Sequence, residues 1–161
     1  MLAGLAVLSA MALTICGCTG VGKGVQAQPT TAVLTLSTQG SLPSGSAIGG
    51  INVTVTLPPG VTAKADKMGA TLENVVIASG GAHGALSAAK FTPAEGAVPG
   101  RLGLALVKTE GFGTGEFATL NLDITGAPPR LADFSTAAMS VSDVNGAAIT
   151  GLIAALSLRL K

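Results

Sequence analysis

The sequence predicts an all-β chain, an antiparallel β-sandwich of about eight or nine strands, and three observations carry that expectation. Apolar and polar residues alternate with period two in run after run, which puts one face of each run on a core. Turn signals separate the runs at spacings near ten residues, the rhythm of short strands in a sandwich. Gly and Pro, 23 and 8 residues, make about a fifth of the chain, below the roughly 25–30% that marks low-complexity disorder, so they read as turns.

At 161 residues the chain has about one domain's worth of length. It is 48% hydrophobic but only 11% charged, against roughly 25% charged in an average soluble protein. A net charge of +1 makes no field strong enough to gather nucleic acid. There is no Trp, no Tyr, four Phe and one His, so the side chains that perform catalysis or grip ligands are scarce.

Element by element, residues 2–15, "LAGLAVLSAMALTI", come first: apolar, uncharged and short of the roughly 20 residues a membrane-spanning helix needs. They suit the core of a signal peptide over residues 1–17. No Lys or Arg precedes the run, which points to a start further upstream or an atypical signal. "ICGC" at 15–18 resembles a bacterial lipobox: an aliphatic residue, two small residues, then the cysteine that receives lipid. Cys18 fits as the acceptor, with Gly17 before the cut; Cys16 follows Ile15, too large for that position. The alternative is an ordinary secretory signal cut near residues 25–28. Lipidation of Cys18, as the resemblance implies, adds several acyl chains at about 0.8 kcal/mol per buried methylene. Such an anchor in the lipid bilayer is effectively permanent. It would use the acceptor thiol and exclude a structural disulfide, a cysteine nucleophile and a Cys-based zinc site. Thr19, in place of Asp after the acceptor, implies by the same resemblance delivery to an outer membrane. Residues 18–31, Gly-rich and polar, read as a flexible tether.

The domain then spans 32–161. "AVLTLS" (32–37) is its first strand. "INVTVTL" (51–57) is the clearest, with Ile51, Val53, Val55 and Leu57 inward and Asn52, Thr54 and Thr56 outward; Pro58 and Pro59 stop it, since Pro donates nothing to a ladder. "LENVVIAS" (72–79), "ALSAAKF" (85–91) and "RLGLALV" (101–107) follow. "EFATLNLDI" (116–124) sends Ala118, Leu120, Leu122 and Ile124 inward and ends before Pro128 and Pro129. "DFSTAA" (133–138) is compatible with a short helical turn, and "AAMSVSD" (137–143) with a strand. "AAITGLIAALSLRL" (147–160) reads as one long strand, or two with a kink at Gly151.

Segment order also carries a resemblance. "GGINVTVTLPPGV" (49–61), "VVIASG" (75–80), "GRLGLALVKTEGFGTGEFATLNLDI" (100–124) and "FSTAAMSVSDVNGAAI" (134–149) resemble, in that order, the segments of cohesin-type domains, over roughly residues 32–158. The resemblance implies a jelly-roll sandwich of the cohesin and carbohydrate-binding-module superfamily that binds a dockerin-like protein or a polysaccharide without catalysis. In that family the partner sits on a sheet face that includes the strands matched by 51–57 and 101–107. Asn52, Thr54 and Thr56 are therefore candidate partner-binding residues. No dockerin repeat occurs in this sequence, so the partner would be a separate molecule.

Other patterns reduce to turns and surface. "SAAK" (87–90) has the S-x-x-K spacing of penicillin-recognising serine enzymes, but its companion motifs are wrong and Ser87 lies in an alternating strand. "GFGTGEF" (111–117) lacks the following helix a nucleotide loop requires, and "GVGKG" (20–24) lacks the full P-loop spacing. His83 has no cysteine to join it in a zinc site and reads as a loop residue. Glu110 and Glu116 flank a glycine turn with no aromatic wall for a sugar. Asp143, Asn145 and Gly146 offer oxygens to calcium, yet Asn-Gly between alternating runs is foremost a hairpin signal. "NVT" (52–54) fits a glycosylation acceptor but lies in a strand.

The functional expectation is a non-enzymatic, lipid-anchored cell-envelope or extracellular module for protein interaction, adhesion or scaffolding, with no cofactor and no metal. Polysaccharide binding is the alternative. For the anchor, Cys18→Ala should release the chain from membranes and abolish radiolabelled palmitate incorporation, while Cys16→Ala should do neither; label surviving loss of Cys18 would defeat the assignment.

Overall fold

A computed structural model describes residues 27–161. The expected signal peptide, Cys16, Cys18 and most of the expected tether lie outside the described residues.

Alternation becomes a sandwich because each apolar row needs a second row to cover it. Ten strands form, in chain order: β1 (Thr31–Gln39), β2 (Ile48–Leu57), β3 (Val61–Thr62), β4 (Val76–Ala78), β5 (Leu86–Thr92), β6 (Gly100–Phe112), β7 (Gly115–Ile124), β8 (Ser135–Asp143), β9 (Ala148–Ile149) and β10 (Ile153–Leu160). They make two five-stranded sheets, paired antiparallel throughout. The β1 sheet has the order β10-β1-β7, with β3 and β4 end to end along the far side of β7; the β2 sheet has the order β5-β6-β2-β8-β9. The chain passes between sheets at six of its nine connections, as a jelly-roll-like sandwich requires.

The inward rows of β2 and β7 are those the sequence predicts, and β1 and β6 supply the rows they pack against. Ile51, Val53, Val55 and Leu57 of β2 and Leu102, Leu104 and Leu106 of β6 meet Leu34 and Leu36 of β1 and Leu120 and Leu122 of β7 in one buried cluster. Phe117, fully buried, is the exception to strict alternation. Leu36 pairs with Ala118 while Ser37 pairs with Glu116, so Phe117 is an extra residue in β7. A bulge of this kind lets two adjacent side chains turn the same way. The one buried polar side chain among the described residues, Thr38, is satisfied at the same place: its Oγ1 accepts from the Gly115 N–H at 3.0 Å and donates to the Gly115 carbonyl at 3.3 Å.

Two local expectations need correction. The run 72–79 is strand only over Val76–Ala78, because residues 63–74 leave the β1 sheet to form a strap, and the chain returns at Val75, whose carbonyl accepts from the Asn121 N–H of β7 at 2.8 Å. Within it the Asp66 carboxylate accepts from the N–H groups of Met68 and Ala70 at 2.8 and 2.9 Å. The Thr71 N–H then bonds to Ala89 and the Phe91 N–H to Gly69, at 3.1 and 2.7 Å, along the outer edge of β5. Gly69 allows this approach: its φ is +86°, and a Cβ there would lie 2.6 Å from the Phe91 carbonyl oxygen. The helical turn expected over 133–138 falls instead at Leu131–Asp133, where the Arg130 N–H donates to the Asp133 carboxylate at 2.7 Å, and β8 begins at Ser135. Of the two readings of 147–160, the division at Gly151 is the one observed: two strands in different sheets, parted where Gly151 takes φ +83°. That division and the two-residue β3 raise the count from eight or nine to ten. At the other end β1 begins at Thr31, and the preceding Thr30 is already bonded to Lys161 and Ile124.

Phe117→Ala should lower stability by about 3–5 kcal/mol, the range for emptying a buried aromatic site. Thr119→Ala, which removes a 3.1 Å bond to Ser79, should cost about 1 kcal/mol or less. Urea denaturation of both variants checks the contrast.

Candidate functional site

With Ile51, Val53, Val55 and Leu57 committed to the core, the intervening residues of β2 must point away from it. Asn52 is exposed, and Thr54 and Thr56 are half-buried, on the outer face of the β2 sheet. Register then decides their neighbours. Asn52 lies between Ala105 of β6 and Ser140 of β8, with Ala88 of β5 beyond Ala105. Thr54 lies between Gly103 and Ala137, with Lys90 beyond Gly103. Thr56 lies between Arg101 and Ser135, and Gly50 between Val107 and Ser142 with Leu86 outermost.

The middle two rows are thus built almost wholly from Ala, Gly, Ser, Asn and Thr. Side chains this short leave a shallow depression of about 400 Å3, bordered by Asn52, Thr54, Ala88, Lys90, Gly103 and Ala105. One end of the face is apolar, with Leu86 80% and Val107 51% exposed. Towards the other end the face is cationic, with exposed Arg101 in the Thr56 row and exposed Lys90 at the β5 margin of the Thr54 row. Four strands at about 4.8 Å spacing give the face its width. Ala138, with φ +51°, belongs to a bulge in β8 opposite Val53 and closes one margin of the depression.

Sequence reasoning finds the β2 contribution but not the surroundings. Gly103, Ala105 and Val107 are legible as the outward members of an alternating run. That they stand beside Asn52 and Thr54, rather than on the other sheet, depends on pairing that no local pattern encodes.

The remaining sequence candidates are dispersed. Ser87 and Lys90 sit on one strand at positions of opposite parity, opposite Leu106 and Gly103, so they project to opposite faces and form no nucleophile–base pair. His83 is exposed, and its backbone carbonyl, with that of Gly81, accepts from the Lys108 ammonium at 3.0 Å each. Lys108 therefore ties the 3-10 turn Gly80–Ala82 to β6, a role without a sequence signal. Glu110 and Glu116 are exposed on strands of different sheets, so the glycine segment between them is a corner from sheet to sheet. At Asp143 the carboxylate accepts from the N–H groups of Asn145 and Ala147, both at 2.8 Å, and β8 and β9 pair on either side as a hairpin. Its Oδ1 is engaged in the turn, and among the described residues no group of three or more His, Cys, Asp or Glu side chains is placed to hold a metal.

No family model and no curated protein matches the chain. Among solved structures the chain is similar to a non-cellulosomal cohesin from the hyperthermophilic archaeon Archaeoglobus fulgidus, with a TM-score of 0.50 and 12% sequence identity over 76% of this chain and 75% of that one. At that identity the likeness is one of fold, and the domain is a cohesin-like β-sandwich.

The hairpin reading of Asp143 has a direct check. Asp143→Ala should lower stability by about 0.5–1.5 kcal/mol, since the two backbone N–H groups that lose their acceptor are exposed to water. Millimolar calcium should leave the melting temperature of the native chain unchanged; a calcium-dependent rise lost in the variant would restore the metal reading.

Proposed function

We propose that this chain is a lipid-anchored, non-catalytic binding module of the cell envelope whose outer β2-sheet face receives a separate protein partner. The observation that carries the reading is the centre of that face: a broad patch of short, uncharged side chains around Asn52 and Thr54, held on rigid strands. Such a patch excludes water from a docked surface without ordering long side chains, each of which would cost about 0.5–1.5 kcal/mol on binding. The exposed Leu86 and Val107 at one end and Lys90 and Arg101 towards the other give the partner an orientation, apolar at one end and acidic towards the other. The cohesin-like fold supports a binding module by analogy of fold.

Protein is favoured over polysaccharide on one observation. Sugar rings are commonly gripped on aromatic faces, and all four phenylalanines, Phe91, Phe112, Phe117 and Phe134, are buried in the core. The anchor rests on the lipobox resemblance at Cys18, and outer-membrane delivery on Thr19.

With the full chain as bait against envelope extracts, the native protein should retain a partner. Thr54→Arg, which fills the depression, should weaken that partner's binding at least about tenfold, or ~1.4 kcal/mol, without changing the melting temperature. Isothermal titration against a polysaccharide panel should give no heat. Measurable heats with a glycan, unaccompanied by any retained protein, would reverse the assignment.

A further inference from the structure

Sheet edges are sites of unwanted pairing, and proteins usually blunt them with bulges, short strands, charges or covering loops. Three of the four edges of this sandwich are treated in that way. The β5 edge is covered by the strap through Gly69 and Thr71. The β7 edge meets only the short strands β3 and β4. The β8 edge carries the bulge at Ala138 and is partly occupied by β9. The fourth edge, β10, is eight residues of unbroken register against β1, with no proline, no bulge and no charged residue in its core-facing row.

The polar groups this edge presents follow from the pairing. Thr31 and Lys161 exchange two backbone bonds, at 3.1 and 2.9 Å. Antiparallel pairs alternate between bonded and non-bonded, so Arg159, Ser157, Ala155 and Ile153 also bond to β1. The N–H and C=O groups of Leu160, Leu158, Leu156 and Ala154 therefore point to the free edge, where no strand among the described residues meets them. The side chains of the same four residues lie opposite Ala32, Leu34, Leu36 and Thr38 and so face the core, yet all four stay only partly covered or exposed, Leu160 by 36%.

We propose that β10 pairs antiparallel with β10 of a second copy of this chain, about a two-fold axis at Ser157. The arrangement is self-complementary: Ala154 meets Leu160 of the second copy, and Leu156 meets Leu158, each as a bonded pair, so every free donor and acceptor of the four residues is used. Leucine stands against leucine in the core-side row, extending the apolar layer through the junction. On the outer side Ser157 meets its own copy, Ala155 meets Arg159 and Ile153 meets Lys161, so no like charges stand opposite each other. The β1 sheets of two molecules become one continuous sheet, and the outer face of each β2 sheet stays free.

Sedimentation of the full chain in mild detergent should show a concentration-dependent species of twice the monomer mass. Ser157→Lys, at an exposed position, sets like charges directly across the axis and should shift the chain to monomer, with the melting temperature of the dilute native chain at every concentration and unchanged partner capture. In a Cys16→Ser, Cys18→Ser background, Ser157→Cys should form an interchain disulfide on mild oxidation, since a non-bonded pair has Cα atoms about 4.5 Å apart, within disulfide range. Ala155→Cys should not, because it faces Arg159, whereas Ala155→Cys with Arg159→Cys should. A chain monomeric at every concentration, an association indifferent to Ser157→Lys, or equal cross-linking at 155 and 157 would overturn the proposal.

Discussion

The two sheets are held together by the apolar rows on their facing sides, and the rest of the structure is arranged around that contact. Both cysteines precede residue 27, so no disulfide ties the described residues together. Their one ion pair, Lys64 to Asp123 at 3.8 Å, joins an exposed side chain to a half-buried one at the surface, and such a pair contributes about 0–1 kcal/mol. A single fully buried leucine or valine contributes about 1.5–3 kcal/mol, and more than a dozen aliphatic side chains share the cluster. Among the described residues, burial of the alternating rows therefore outweighs the ion pair by far.

That constraint explains the character of the outer β2-sheet face. Once every second residue of β2 and β6 is committed inward, the outward positions carry no duty to the core. Here they hold Gly103, Ala105, Asn52 and Thr54, side chains too short to fold back over the sheet. A surface with few long charged side chains at its centre is open to close approach, and the chain's low charge content makes such a patch possible. The same inward commitment demands frequent crossing between layers, so Gly and Pro gather at the corners.

The edges show the converse. Strap, bulge and short strands protect the ladders that border the β2 sheet and β7, while β10 keeps a straight ladder half-covered by its own side chains. The outer β2-sheet face and the β10 edge belong to different sheets, so a partner on one does not compete with a second copy on the other.

Period-two alternation in 51–57, 101–107 and 116–124 was sufficient by itself to determine strands, inward rows and the all-β class, because which side of a strand is apolar is a local property of the chain. The hairpin at Asn145-Gly146 was legible for the same reason. Tertiary structure alone decided what depends on neighbours distant in sequence. It turned Phe117 inward through a bulge set by pairing with β1, drew residues 63–74 out of the β1 sheet to cover β5, and divided 147–160 between two sheets at Gly151. The candidate site divides along the same line: Asn52, Thr54 and Thr56 face outward by alternation, but the company of Ala88, Ala105 and Gly103 arises from register, and register is a property of strand pairs that no single strand contains.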